Sequence, residues 1–369
     1  MVKDAGKGDG SKQLTCTNKF GEVVTVPAHQ QPLSKKDASA VSSRAAAIDE
    51  SVAAGLADSG VSSFKATVIG QVSDWDYASL RHFCSVLVAR AAKTDTDKDK
   101  AIEVLTALND RHYPTGEKKR SAVLHIVRQS LAKIFSSSPK MGQSGSGRYR
   151  YIDRELQPAL AAPDSPDQVL VLNAREFEPE GDDCDARLIV KAYQKGWKNF
   201  ICYGYKGQRF TGCGLSNDTE GVRIDVYDSS GDYLASGIDG LQIHVHGNAQ
   251  DQLGQIMKRG KLVIHGDVGQ TFMYGAKGGE VYVLGNAAGR PLINAVGRPR
   301  VVINGTCLDY LAQSFMAGDP LNGGGFIILN GIEFDEDANI IDQPTPYPGS
   351  NLFSLASGGA IYLLSLIHI

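Results

Sequence analysis

The chain has 369 residues, with 38 Lys plus Arg against 41 Asp plus Glu, a net charge of -3, 42% hydrophobic residues, 41 glycines and six cysteines. That length sustains roughly two or three cored domains, and the lack of a basic excess removes the electrostatic reason to expect nucleic acid or an anionic membrane as a partner. No apolar run approaches the roughly 18 residues of a membrane span, the opening MVKDAGKGDGSKQ has no signal-peptide core, and Cys16, Cys84, Cys184, Cys202, Cys213 and Cys307 form no CxxC pair, so a cytoplasmic protein with reduced structural thiols is expected.

Residues 1–34 read as an N-terminal arm and 35–135 as a helical domain. Val41, Ala45, Ile48, Val52 and Leu56 recur at helical spacing, with Ser34 and Asp37 as an S-x-x-D cap and Gly60 as a stop. Tyr77, Leu80, Cys84, Leu87 and Ala91 mark a second helix, which the polar run 94–100 is expected to end in a loop. Ile102, Leu105 and Leu108 mark a third, and after the turn Tyr113-Pro114-Thr115-Gly116 a fourth carries Leu124, Val127, Leu131 and Ile134. Residues 136–150, containing SSSPKMGQSGSG, have the composition of a flexible linker. Residues 151–220 read as an α/β lead-in, with strands at 169–172 and 199–205 around a helix at 185–196. The Gly212-Cys213-Gly214 that follows has no helix at the spacing a dinucleotide site needs.

Residues 221–363 repeat themselves. The copies are IDVYD ending at Asp228, IHVHG at Gly247, LVIHG at Gly266, VYVLG at Gly285, VVING at Gly305 and IILNG at Gly331, at steps of 19, 19, 19, 20 and 26 residues. Two residues before each end stand Val226, Val245, Ile264, Val283, Ile303 and Leu329; four before stand Ile224, Ile243, Leu262, Val281, Val301 and Ile327. Because a strand sends alternate residues to opposite faces, both columns must share one interior. A period of 19 to 20 is too short for a βαβ unit or a propeller blade. The fold class expected is therefore mainly β, a right-handed parallel β-helix (solenoid) preceded by the α/β lead-in and a small helical N-terminal domain. Of the 41 glycines, 28 fall within residues 204–359, where they permit its tight corners. The last six residues, 364–369, look like a translated sequencing adaptor, so the gene is expected to be truncated near Leu363 and His368 to carry no function.

The run Gly266-Asp267-Val268-Gly269, the recurrent G-x-x-G and G-x-x-x-G spacings and Gly207-Gln208-Arg209-Phe210 resemble the GXGXG β-helix domain over residues 167–359. That domain closes the large subunit of glutamate synthase and also forms the C subunit of formylmethanofuran dehydrogenase. The resemblance implies a noncatalytic structural segment of a glutamate-synthase-like oxidoreductase, placed between glutaminase and synthase domains or subunits. FMN and iron-sulfur clusters would belong to those partners and none to this chain. The residues agree: Met1-Val2 stands where that glutaminase needs a cysteine, and no clustered thiols appear. The alternatives are a component of a formylmethanofuran-dehydrogenase-type complex, or a free-standing carbohydrate-active or binding protein.

His244, His246 and His265 are the metal candidates, because His246 and His265 share a column on neighbouring strands and His244 shares their face. No carboxylate sits in register to orient them, so stacked surface histidines are expected, with no catalytic, cofactor or metal residues assigned. Asp225, Asp228 and Asp267 would be the carboxylates of a polysaccharide-cleaving groove, yet they form no clustered pair and read as solvated turn residues. Gly323-Gly324-Gly325 reads as an ordinary loop, and Lys118-Lys119-Arg120 as a solvated helix start. The outward column Asp225, His244, Val263, Tyr282, Val302 and Ile328 turns from polar to apolar, which predicts a covered or contact face.

Overall fold

The computed structural model describes residues 16–17, 23–24, 35–57, 61–143 and 147–364, with side chains from residue 44 onward. The caps read at Ser34 and Asp37, the stop at Gly60, and His368 with the rest of 365–369 lie outside the described residues or side chains. Strands β1 (Cys16–Thr17) and β2 (Val23–Val24) form a short antiparallel pair. Helices α1 (Lys35–Ala57), α2 (Ser62–Gln71), α3 (Tyr77–Ala91), α4 (Asp95–Asp110) and α5 (Arg120–Ser136) follow. The expected stripes are their buried faces: Ile48, Val52 and Leu56 on α1, Leu80, Cys84 and Leu87 on α3, and Leu105 and Leu108 on α4. Among the described residues no helix is long and apolar enough to cross a membrane.

Two local expectations fail. The run 94–100 is no loop but the start of α4: the Thr94 side chain accepts from the Asp97 N–H at 3.0 Å, and Asp95 and Asp97 sit in the first turn, where the helix dipole favours acids. Nor is the start of α5 a solvated basic face. Lys118 is buried and donates to the Trp75 carbonyl, while Arg120 donates to the Arg111 carbonyl at 2.8 Å. After α5, Ser138 and Met141 are buried and the Met141 N–H donates to the Tyr151 carbonyl at 2.8 Å, which ties this segment to the first long strand.

That strand is β3 (Tyr149–Ile152), followed by β4 (Val169–Asn173), α6 (Asp185–Gln194), β5 (Asn199–Tyr203), β6 (Arg223–Val226), β7 (Asp239–Val245), β8 (Arg259–Ile264), β9 (Glu280–Val283), β10 (Arg300–Ile303), β11 (Phe326–Leu329), the antiparallel hairpin β12 (Ile332–Phe334) and β13 (Ile340–Asp342), and β14 (Ala360–Leu363). Ten of these strands form one sheet in the order β14-β11-β10-β9-β8-β7-β6-β5-β4-β3, with every pair parallel.

The fold class is accordingly α/β, and the expected mainly-β right-handed parallel β-helix behind a separate lead-in is corrected. Strands β3 to β5 hydrogen-bond in register with the repeat strands: Leu170 meets Phe200, Phe200 meets Ile224, and Ile224 meets Ile243. The two buried columns thus run on past the first repeat, through Phe200 and Cys202 to Leu170 and Leu172. Helices flank the sheet. On one face Leu188, Ile189 and Ala192 of α6 pack with Leu170, Leu172, Phe200 and the repeat columns; on the other, the helical segment packs against Tyr149, Tyr151, Val171, Ile201 and Tyr203. A pattern of columns fixes register and inward side, but it cannot tell where a sheet ends or what lies against it.

Between strands, the loops obey a backbone rule. Residues with positive φ recur as triplets spaced by two: Phe210, Gly212 and Gly214; Tyr233, Ala235 and Gly237; Gln252, Gly254 and Ile256; Thr271, Met273 and Gly275; Arg290, Leu292 and Asn294; Tyr310, Ala312 and Ser314; Asn351, Phe353 and Leu355. In the central triplets the first and third N–H donate to the next loop and the middle one to the previous loop. Thus Thr271 donates to the Gly289 carbonyl, Gly275 to Ile293 and Met273 back to Leu253, at 3.0, 2.9 and 2.8 Å. This left-handed conformation costs a non-glycine residue about 1 kcal/mol, and the lateral bonds offset it. At Gly254 a side chain would also collide, because its Cβ would lie 2.6 Å from Met273 Sδ.

Candidate functional site

Strand parity sends Asp225, Tyr227, His244 and His246 to the face of the sheet that the helical segment covers, and α4 ends above them with Asn109 and Asp110. Asn109 Nδ2 donates to the His246 carbonyl at 2.8 Å, while Arg128 of α5 donates to Asn109 Oδ1 at 2.8 Å. Thr106 and the Tyr227 hydroxyl share a hydrogen bond of 2.8 Å, and the Tyr227 ring stacks on His246 with centroids 4.3 Å apart. The end of α4 is therefore held to β6 and to the residue just past β7 by side chains reaching both ways.

His246 is the centre of the arrangement. Its Nδ1 lies 2.8 Å from Asp110 Oδ2 and its Nε2 lies 3.3 Å from Asp225 Oδ1. Asp225 is gripped in turn by Arg223, whose Nε and Nη2 lie 2.7 and 2.8 Å from its two oxygens. His265, at the same position on the next strand, brings Nε2 to 3.4 Å from the same Asp110 Oδ2, and its ring stacks on His246 at 5.3 Å. Burial opposes charge on His246, but the two carboxylate hydrogen bonds outweigh it and push the imidazole up to about 9. Burial likewise works against the Asp110 and Asp225 anions, yet bonds to His246, and for Asp225 to Arg223, hold both below the usual carboxylate range. His246 is thus an imidazolium between two carboxylates. His265 and His244 are kept neutral chiefly by burial, which takes His244 down to about 4.

The reading of stacked surface histidines is corrected for His246, whose side chain is 4% exposed. Both orienting carboxylates went unrecognised. Asp225 is no solvated turn residue but a paired group 15% exposed, and Asp110 comes from 136 residues away in the chain. Nothing in the sequence near Asp110 marks it; only the docking of α4 does. His244 stands apart, its ring 6.5 Å from that of His246. Asp228 accepts from the Gly204 N–H at 2.8 Å, and Asp267 belongs to a ladder of turn side chains. There Asn248 accepts from the Asp267 N–H, Asp267 from Asn286 and Asn286 from Thr306, at 3.0, 2.8 and 2.8 Å. Those carboxylates serve the turns. Gly324 and Gly325 donate to the Asp319 and Ala317 carbonyls, so the glycine insertion is an internally bonded loop. Cys84, Cys184, Cys202 and Cys307 are free and buried, and burial pushes the Cys84 and Cys307 thiols up to about 12.

Beside the cluster lies a cavity of about 860 Å³, walled by α4, the outward face of β3 to β6 and the hairpin, with Arg111, Arg148, Tyr149, Leu284 and Phe334 on its lining. The hairpin is fixed by Phe334, whose ring stacks on His112 at 4.2 Å. A family comparison matches residues 179–367 to the GXGXG motif, half of the chain and the whole of the repeat. The chain belongs to the GXGXG family. Its matched segment contains all seven left-handed triplets, beginning before the first, Phe210, Gly212 and Gly214, where two alternate positions are both glycine. Gly212-Cys213-Gly214, set aside above as a dinucleotide site, is one of these loops. No curated protein and no solved structure matches the chain. In this GXGXG protein the match starts after β4, so α1 to α5 and Asp110 lie outside it, while His246 and His265 lie within it.

Proposed function

We propose that the chain is a structural component of a glutamate-synthase-like oxidoreductase, positioning a glutaminase unit and a synthase unit that carries FMN and iron-sulfur clusters. Membership of the GXGXG family over residues 179–367 is the observation that carries this reading. A contact face supports it. The outward column Val263, Tyr282, Val302, Ile328 continues to Tyr362 of β14, and Tyr282 and Tyr362 are 40% and 50% exposed. Helix α6 does not cover this column, because it packs on the opposite side of the sheet. Aligned apolar side chains of this kind favour a protein contact over water.

The test is co-purification of the full chain with a synthase unit of the glutamate synthase type from the same source. Val302→Lys places a cation in the middle of the column and leaves the inward columns intact, so recovery of the synthase unit is expected to fall by about tenfold or more with little change in melting temperature. Unchanged recovery would remove the scaffold reading of this face. A collapsed melting temperature would mean that the chain covers the column itself.

A further inference from the structure

The geometry points to a divalent transition-metal site formed by Asp110, His246 and His265, with zinc as the ion it takes. One ligand atom from each of the three lies within 4.8 Å of the others, although they come from a helix end and from two neighbouring strands. Asp110 Oδ2 is 3.4 Å from His265 Nε2 and 2.8 Å from His246 Nδ1. Bonds of about 2.0–2.1 Å in a tetrahedral ion set its ligand atoms roughly 3.3 Å apart. The first pair already has that spacing, and the second reaches it by a small side-chain rotation.

The surroundings are those of a supported ligand. With Nδ1 on the ion, His246 turns Nε2 toward Asp225, which Arg223 fixes from behind through two hydrogen bonds. A carboxylate behind a ligating imidazole sets its tautomer and ring orientation. The His246 main chain is bound to Asn109, the neighbour of the third ligand, so backbone and side-chain contacts hold the same two elements in place. A simple ion pair between Asp110 and His246 needs no second imidazole on the same carboxylate oxygen, yet His265 supplies one. Protein side chains fill three positions, and the fourth faces the cavity, where a water or a ligand group completes the coordination.

The donor set and its spacing narrow the ion. Two imidazoles and one carboxylate suit zinc and also ferrous iron, and the 3.4 Å between Asp110 and His265 matches the tetrahedral geometry of zinc, while calcium and magnesium require oxygen ligands and copper(I) prefers sulfur, which this group does not contain.

The experiment uses the full chain without a polyhistidine tag, stripped with chelator, then titrated with zinc, ferrous iron or cobalt(II) and analysed for metal content and cobalt visible absorption. One equivalent of zinc per chain and a tetrahedral cobalt spectrum are expected. His265→Gln, which leaves the Asp110–His246–Asp225 line untouched, should weaken zinc binding by about 100-fold or more with the melting temperature of the stripped protein retained. Asp225→Asn should weaken it by about 10- to 100-fold, as loss of a supporting carboxylate does. A stripped protein that takes up no stoichiometric metal, or a His265→Gln variant that binds zinc as tightly as the parent, would overturn the site. Stoichiometric iron with exclusion of zinc would overturn the choice of ion. Failure of the scaffold reading is read separately, by synthase recovery from Val302→Lys.

Discussion

Val283→Asp is expected to lower the melting temperature by on the order of 10 °C or to prevent folding, whereas Tyr282→Asp, one residue away, should leave it within a few degrees. Val283 is 2% exposed and pairs in register with Ile264 on one side and Ile303 on the other, so an aspartate there has aliphatic neighbours above and below. A buried carboxylate without a partner must either ionise in an apolar medium or take up a proton, and each course costs several kcal/mol. Tyr282 points to the opposite face and is 40% exposed, so the same charge meets water there. Equal melting curves for the two variants would show that the register is wrong.

Asp185→Asn is expected to stabilise the protein, and only above acidic pH. Asp185 is the first residue of α6, its side chain is fully buried, and neither carboxylate oxygen accepts a hydrogen bond of good geometry among the described residues. Burial pushes its carboxyl up to about 7 from an ordinary 3.8, and the dipoles of the Tyr205 hydroxyl and the Ala186 N–H relieve this only in part. The folded state therefore holds a proton that the unfolded chain has released. Stability is full below about pH 4, falls as pH rises through the interval to about 7, and is level beyond it. The loss across that window is on the order of 4 kcal/mol. Asparagine carries no such charge, so the variant should match the parent near pH 4 and melt several degrees higher at pH 8. Denaturant titrations at the two pH values measure the difference, and a gain of equal size at both would rule out burial of the charge as its cause.

What the sequence disclosed was whatever the strand period controls. The columns through Ile224 and Val226 gave the pairing of six strands and their inward side, because any one-residue slip would have exposed all of them. Tyr149–Ile152 escaped notice since it precedes the repeat and carries none of its turn residues. Ser62–Gln71 was hidden by its mix of β-branched residues, serines and Gly70, which gives no clear stripe, though Phe64 and Val68 are buried. Of the candidate site, the two stacked imidazoles were legible from register. Asp110 was not, because its role depends on where α4 lands, a tertiary fact without local trace. The left-handed triplets were legible only where glycine fills them; Tyr233, Thr271, Arg290, Leu292 and Tyr310 hold the same conformation.

Those triplets make each loop a clamp on both neighbours. The amide of Leu292 donates back to the Phe272 carbonyl at 2.7 Å, while Arg290 and Asn294 on either side of it donate forward to Asp309 and Gln313. No loop between the second and sixth triplets can detach alone without breaking bonds in two directions, so local opening there requires adjoining repeats to part together. Native-state deuterium uptake is expected to reflect this: the amides of Met273 and Leu292 should exchange in one concerted, slow process with their neighbours, while the amides of the β12–β13 hairpin, whose residues are mostly exposed, exchange independently and early.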